Sequence, residues 1–184
     1  MFRRTAGQGA ASIAANLALF TYRQVKPVDT IITRCVLEGV ILLLISSVIF
    51  GVLALLGVAL WVDDLLEVLL ALGGLWLLAL GWSMCTSVAA ELIPELANTL
   101  NLLLVPLMLV SGVIFPLSAI PYPWLDWIMY NPVAHGVEGI RAGISPYYHH
   151  VQGLSLSYLY TWVLGMLFFG LALQVRYRER LVAL

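Results

Sequence analysis

The chain has 184 residues, 62% of them hydrophobic and 10% charged, with a mean hydropathy of +0.99. An ordinary soluble domain is about half apolar and about a quarter charged, and a chain this short cannot hide the excess in one core, so the fitting solvent is lipid. A formal net charge of −1 and a pI near 6.3 exclude the basic footprint of a nucleic-acid binder.

The opening Met-Phe-Arg-Arg has the charge of a signal peptide. Gly7, Gln8, Gly9, Ser12 and Asn16 then interrupt any apolar core, so no cleaved signal is expected. Ile13 to Leu19 forms a short helical patch leading into Thr21-Tyr22-Arg23-Gln24-Val25-Lys26-Pro27-Val28-Asp29. Pro27 is expected to close or kink the helix, and Asp29 to cap the next one. A basic, amphipathic stretch of this kind suits lipid headgroups or docking to a soluble partner.

Four apolar runs follow, about residues 37–62, 68–90, 96–115 and 154–175, each near the roughly 20 residues a helix needs to cross a bilayer. Helices are expected because backbone polar groups must be satisfied internally in hydrocarbon, and barrel-type alternation is absent. Arg3, Arg4, Arg23, Lys26 and Arg34 precede the first run and Arg176, Arg178 and Arg180 follow the last, leaving only Arg141 between. The inside bias of basic residues then predicts an all-α, four-span protein with both termini cytoplasmic. Residues 1–36 form a cytoplasmic segment and 37–184 the membrane domain. Trp61 to Glu67 is a short external turn and Glu91 to Glu95 a short cytoplasmic one.

Residues 116–153 are neither a polar loop nor a span. Pro116, Pro121, Pro123, Pro132 and Pro146 forbid one continuous helix. Tyr122, Trp124, Trp127, Tyr130, Tyr147 and Tyr148 favour a membrane interface. Asn131-Pro132 reads as a cap and first helical residue, launching a short helix to about Gly143 on which Glu138 and Arg141 fall close enough to pair. The segment is expected to be a broken, partly re-entrant external hairpin.

Elsewhere, Ala79, Ser83 and Ser87 form a small-residue face, and Asn98 and Asn101 share a face, both consistent with helix packing. Glu38 is expected to pair with Arg34 four residues earlier. Cys35 and Cys85 have no metal-type spacing and read as small buried residues. His135-x-x-Glu138 lacks a second histidine at helical spacing, with His149 and His150 lying in a loop, so a structural hydrogen bond is expected there rather than metal ligation. No nucleophile-elbow, His-Glu-x-x-His or phosphate-loop pattern is present, so the chain carries no ATP-hydrolysing device of that type.

Two blocks resemble a known family. Tyr22-Arg23-Gln24-Val25-Lys26-Pro27-x-Asp29 with Arg34 and Leu37-Glu38 is similar to the cytoplasmic segment of type-2 ABC permeases that export capsular polysaccharide. Phe115-Pro116-Leu117-Ser118-x-Ile120-Pro121 with Asn131-Pro132-x-x-His135-x-x-Glu138-x-x-Arg141 resembles that family's external hairpin. The family has two spans ahead of the first block, whereas about twenty residues precede it here; a fragment, a mis-started frame and a truncated product all fit that difference.

The resemblance implies a permease subunit in the bacterial inner membrane, with no cofactor of its own and with ATP and Mg on a separate ATPase. Tyr22, Arg23, Gln24, Lys26, Pro27 and Asp29 would couple to that ATPase dimer, and Phe115, Pro116, Asn131, Pro132, His135, Glu138 and Arg141 would build the hairpin. A second permease copy, lipid, the polysaccharide cargo and periplasmic export proteins are the implied partners. Trp82, Tyr122, Trp124, Trp127 and Tyr130 would line or flank the sugar path, unless they serve only as an interfacial belt. Export of O-antigen or teichoic acid, a non-transporting scaffold remnant, and an intramembrane enzyme resting on His135 and Glu138 are the rival readings.

Overall fold

The computed structural model describes residues 2–21, 24–57, 62–145, 148 and 151–182, and among them there are helices and turns but no strand. Two short helices, α1 (Phe2–Ala10) and α2 (Ser12–Ala15), precede a 3-10 turn at Leu17–Thr21. The helix α3 (Pro27–Leu55) starts at the proline expected to close its predecessor. The reason is positional: at the first helical residue the missing N–H and fixed φ of proline cost nothing. Asp29 Oδ2 accepts from the Lys26 N–H at 2.9 Å, so the third helical residue reaches back to the cap.

Gly57, at φ +76, turns the chain after α3. Asp64 caps α4 (Leu65–Leu92), accepting from the Glu67 N–H at 3.0 Å. Ile93 alone separates α4 from α5 (Pro94–Val110), which again starts on a proline. The connection after α5 holds a 3-10 turn at Leu117–Ala119, α6 (Trp124–Ile128) and α7 (Pro132–Ile144). Then come α8 (Leu156–Arg176) and α9 (Arg178–Val182).

Among the described residues, three helices are long and apolar enough to cross a bilayer: α3, α4 and α8, with 29, 28 and 21 residues. The third predicted run differs. It folds as the 17-residue α5, which contains Pro106 and stops before Gly112 at φ +78. Its rise of about 26 Å is short of a hydrocarbon core of roughly 30 Å.

Contacts divide the chain into two units. The first comprises Met1–Gly39, Trp76–Pro106 and Thr161–Leu184. Its apolar core gathers Ile13, Phe20, Ile31, Met84, Val88 and Leu181. The buried small-residue face of α4 receives α1: Ser83 Oγ lies 3.3 and 3.2 Å from the Thr5 and Ala6 carbonyls and 2.7 Å from the Ala79 carbonyl of its own helix. Trp76 Nε1 donates to the Cys35 carbonyl at 2.9 Å, tying α3 to α4. Gln174 Nε2 donates to the Met84 carbonyl at 3.2 Å and to Ser87 Oγ at 2.8 Å, seating α8. Asn98 and Asn101 are exposed and take no part in this packing.

The second unit comprises Val40–Leu75 and Leu107–Tyr160. In it α7 lies on the first turns of α4 through Gly136, Gly139 and Gly143, which face Leu75, Ala71 and Asp64 to Val68 respectively. The Asp63 and Asp64 N–H groups both donate to the Gly143 carbonyl at 3.0 Å, so the end of α7 meets the start of α4 through backbone.

Alanine at Gly143 would place its Cβ 2.8 Å from the Asp64 carbonyl oxygen, a backbone atom that cannot step aside. Gly143→Ala is expected to cost about 1–3 kcal/mol. Gly165→Ala in α8, where a Cβ meets open space, should leave stability unchanged or slightly raised. Thermal unfolding in detergent checks both, and equal melting temperatures for the two variants would contradict the close α7–α4 approach.

Candidate functional site

The residues singled out between Phe115 and Arg141 all belong to the second unit, and the structure brings most of them together. Asn131 caps α7, its Oδ1 accepting from the Val133 N–H at 3.0 Å, with Pro132 as the first helical residue. Its Nδ2 donates to the Leu107 carbonyl at 3.0 Å, so one amide both starts α7 and anchors it to the end of α5.

One turn later, His135 is 2% exposed. Its Nδ1 accepts from the Ser155 N–H at 3.1 Å, so the proton resides on Nε2, which donates to the Met129 carbonyl at 2.8 Å. The ring packs on Tyr158 at a centroid distance of 4.9 Å. Burial holds the imidazole below its usual value, against the opposing pull of the Met129 carbonyl, so it is neutral. The ring joins three stretches of backbone. Among the described residues no group of His, Cys, Asp and Glu could hold a metal.

Glu138 has no exposed surface. Its Oε1 accepts from Arg141 Nη1 at 2.7 Å and from the Leu117 N–H at 3.0 Å, and its Oε2 accepts from the Tyr148 hydroxyl. Arg141 reaches on to the carbonyls of Phe115, at 3.3 Å, and Val113, at 3.2 Å. Phe115 and Pro116 are themselves exposed, and it is their backbone that is held. Burial, then the Glu138 carboxylate, push the Tyr148 phenol up, so it stays a neutral donor.

Of the residues assigned to the cytoplasmic segment, Tyr22 and Arg23 lie outside the described residues, as do Pro146, Tyr147, His149 and His150. Gln24, Lys26 and Asp29 are exposed and Pro27 is buried. An open groove of about 290 Å³ runs beside them, between Leu19 and Val25 on one side and Asp29, Thr33 and Leu37 of α3 on the other. Glu38, 4% exposed, pairs with Arg34 Nη2 at 3.1 Å and also with Arg4 Nε at 2.8 Å.

The aromatic residues divide. Tyr122, Trp124, Trp127 and Tyr130 are in the second unit and well exposed, Trp127 by 73%; its ring meets that of Tyr130 edge-on at 6.5 Å. Trp82 is in the first unit, half-buried, with an indole N–H that finds no partner.

Sequence reasoning missed Tyr148, Ser155 and Tyr158 as supports of the connection between α5 and α8, and Arg4 as a partner of Glu38. The Asn131 amide and the Glu138–Arg141 spacing were local signals. The others depend on separations of 10 to 34 residues, for which a single sequence carries no periodicity.

Long apolar helices with a polar-pinned, proline-broken connection define a helical membrane protein. Residues 16–145 match the model of the ABC-2 type transporter family, and the chain belongs to that family. It is 34% identical over 180 residues to the polysialic acid transport protein KpsM of Escherichia coli, covering 98% of this chain and 68% of that protein. It is 32% identical over 150 residues to the capsule polysaccharide export inner-membrane protein CtrC of Neisseria meningitidis, with 78% and 54% covered. A third relative, the capsule polysaccharide export inner-membrane protein BexB of Haemophilus influenzae, is 30% identical over 149 residues, with the same shares covered.

Glu138→Ala strands the Leu117 N–H and the Arg141 charge and should destabilise the fold by about 3–5 kcal/mol. Glu138→Gln, which keeps one acceptor oxygen, should cost less. Urea unfolding in mild detergent measures both, and wild-type stability of the alanine variant would refute the pinning role. The neutral His135 yields a pH effect of definite sign. The unfolded chain binds a proton that the folded protein refuses, so the contribution is intact above about pH 6.5 and is lost as pH falls below it. Amide protection over residues 129–135 and 155–158, taken relative to the intrinsic exchange rate at each pH, should fall between pH 7.5 and 5.5 in the wild type but not in His135→Gln.

Proposed function

We propose that the chain is the permease subunit of an ABC exporter moving capsular polysaccharide across the bacterial inner membrane, driven by ATP hydrolysis on a separate subunit. The observation that carries this reading is the 34% identity, over 98% of the chain, to a polysialic acid transport protein. The relatives named for capsule polysaccharide export support it independently.

On this reading both termini are cytoplasmic, α5 with the residues after it makes the fourth crossing, and residues 116–153 form a re-entrant hairpin on the external side. The distribution of basic residues favours that orientation: among the described residues every Lys and Arg except Arg141 is in the first unit. A second copy related by a two-fold axis encloses the path. The exposed Gln24, Lys26 and Asp29, with Tyr22, Arg23 and Pro27, dock the ATPase dimer, which holds ATP and Mg. The groove beside them gives that contact an apolar floor.

A moving sugar chain needs apolar faces and few strong hydrogen bonds. The exposed rings of Tyr122, Trp124, Trp127 and Tyr130 offer such faces at the external mouth, and Trp82 offers another within the membrane. Periplasmic export proteins receive the polymer beyond it.

Expression in a capsule-export mutant tests the reading. Surface polymer should return when the permease, including any upstream spans its gene encodes, is supplied with its ATPase. Intact membrane insertion and ATPase binding without surface polymer would refute the cargo assignment. Reversing Arg23 and Lys26 to glutamate should cut co-purification of the ATPase about tenfold, the scale of one to a few exposed ion pairs acting together.

A further inference from the structure

In the first unit, α1 and α3 face each other through a two-by-two polar ladder. Arg4 and Gln8 stand one turn apart on α1, and Arg34 and Glu38 one turn apart on α3. Arg4 Nε meets Glu38 Oε2 at 2.8 Å, Arg34 Nη2 donates to Gln8 Oε1 at 2.9 Å, and the same Nη2 closes the square on Glu38 Oε1 at 3.1 Å. Glu38 is the only buried residue of the four, and two of the three contacts are made by its carboxylate.

Apart from its seat on Ser83 of α4, α1 has little hold of its own. A helix of 9 residues is not stable by itself, and apart from Phe2 its buried residues are Thr5, Ala6, Gly9 and Ala10, which bury little apolar area. The segment after α1 runs through residues 11–26 and re-enters at the cap of α3, where Asp29 fixes the Lys26 N–H. Both ends of that segment are therefore held at its base, one through the ladder and one through the cap. With both ends held, the segment is not free to swing away from α3.

We propose that Glu38 is a positioning residue for energy coupling: it staples α1 to α3 so that force on residues 11–29 moves α3 and α4 rather than swinging α1 away. The inference rests on the assignment of Tyr22 to Asp29, within that segment, as the ATPase-docking element. Arg4 is the outer half of the staple and, at 62% exposed, can be altered without opening the core.

The test uses proteoliposomes carrying the permease with its ATPase, in wild-type, Glu38→Gln, Arg4→Gln and Arg4→Lys forms. Complex yield, ATP turnover and polymer transported are each measured. Both glutamine variants should assemble and hydrolyse ATP as the wild type does, while polymer moved per ATP falls about tenfold, inside the usual range of coupling between sites. Arg4→Lys, which keeps the charge, should recover most of that loss. Unchanged transport per ATP in both glutamine variants, with the ATPase bound, overturns the staple and leaves the docking assignment standing. A parallel fall in assembly, turnover and transport in Arg4→Gln makes the ladder merely structural and also overturns it. Failure of the wild-type chain to bind the ATPase overturns the docking assignment and this inference together.

Discussion

Glu138 sits on α7 with no exposed surface, and its two oxygens receive donors from Leu117, Arg141 and Tyr148. A buried carboxylate without partners is prohibitively costly, whereas one with three donors makes each of them dependent on the others. Through Arg141 the same group fixes the carbonyls of Val113 and Phe115. Residues 111–123 would otherwise have a proline-broken backbone with few internal bonds, whose buried polar groups need partners from elsewhere in the chain. The direction of α7, the turn after α5 and the placement of Tyr148 follow from this one charge.

The first unit repeats the device on a different scaffold. Glu38 is buried in α3 and gathers Arg4 and Arg34, again one partner from its own helix and one from a distant stretch. Glu138 joins a helix to irregular chain, whereas Glu38 joins two helices, α3 and α1. Each converts a stretch with weak hydrophobic hold into one of defined geometry, which packing of glycine and alanine cannot do unaided.

How much of this was legible follows from the range of each interaction. Three of the four apolar runs became membrane-length helices because length and hydropathy act within one segment. The third did not, since Gly112 at positive φ ends α5 early, and a glycine inside an apolar run gives no sign of its φ. Proline can follow one helix and open another in the same place, so Pro27 alone does not mark the start of α3; the reach of Asp29, expected as a cap, to Lys26 does. Between α5 and α8, Asn131-Pro132 and the three-residue spacing of Glu138 and Arg141 are local and were readable. The engagement of both His135 nitrogens by Met129 and Ser155 was not, because those contacts are backbone and indifferent to side-chain identity.

The seat of α1 on α4 has a different character from the ladder that ties it to α3. Ser83 has one hydroxyl proton and three carbonyl oxygens within 3.3 Å, those of Thr5, Ala6 and Ala79. One proton serves one acceptor well at a time, and the 2.7 Å bond to the Ala79 carbonyl of its own helix takes it first, so the seat of α1 depends little on that proton. The fit there is steric: a Cβ on Gly9 would collide with Ser83 Oγ, so α1 approaches α4 at a distance only glycine admits. The helix is thus held by charge on one side and by shape on the other.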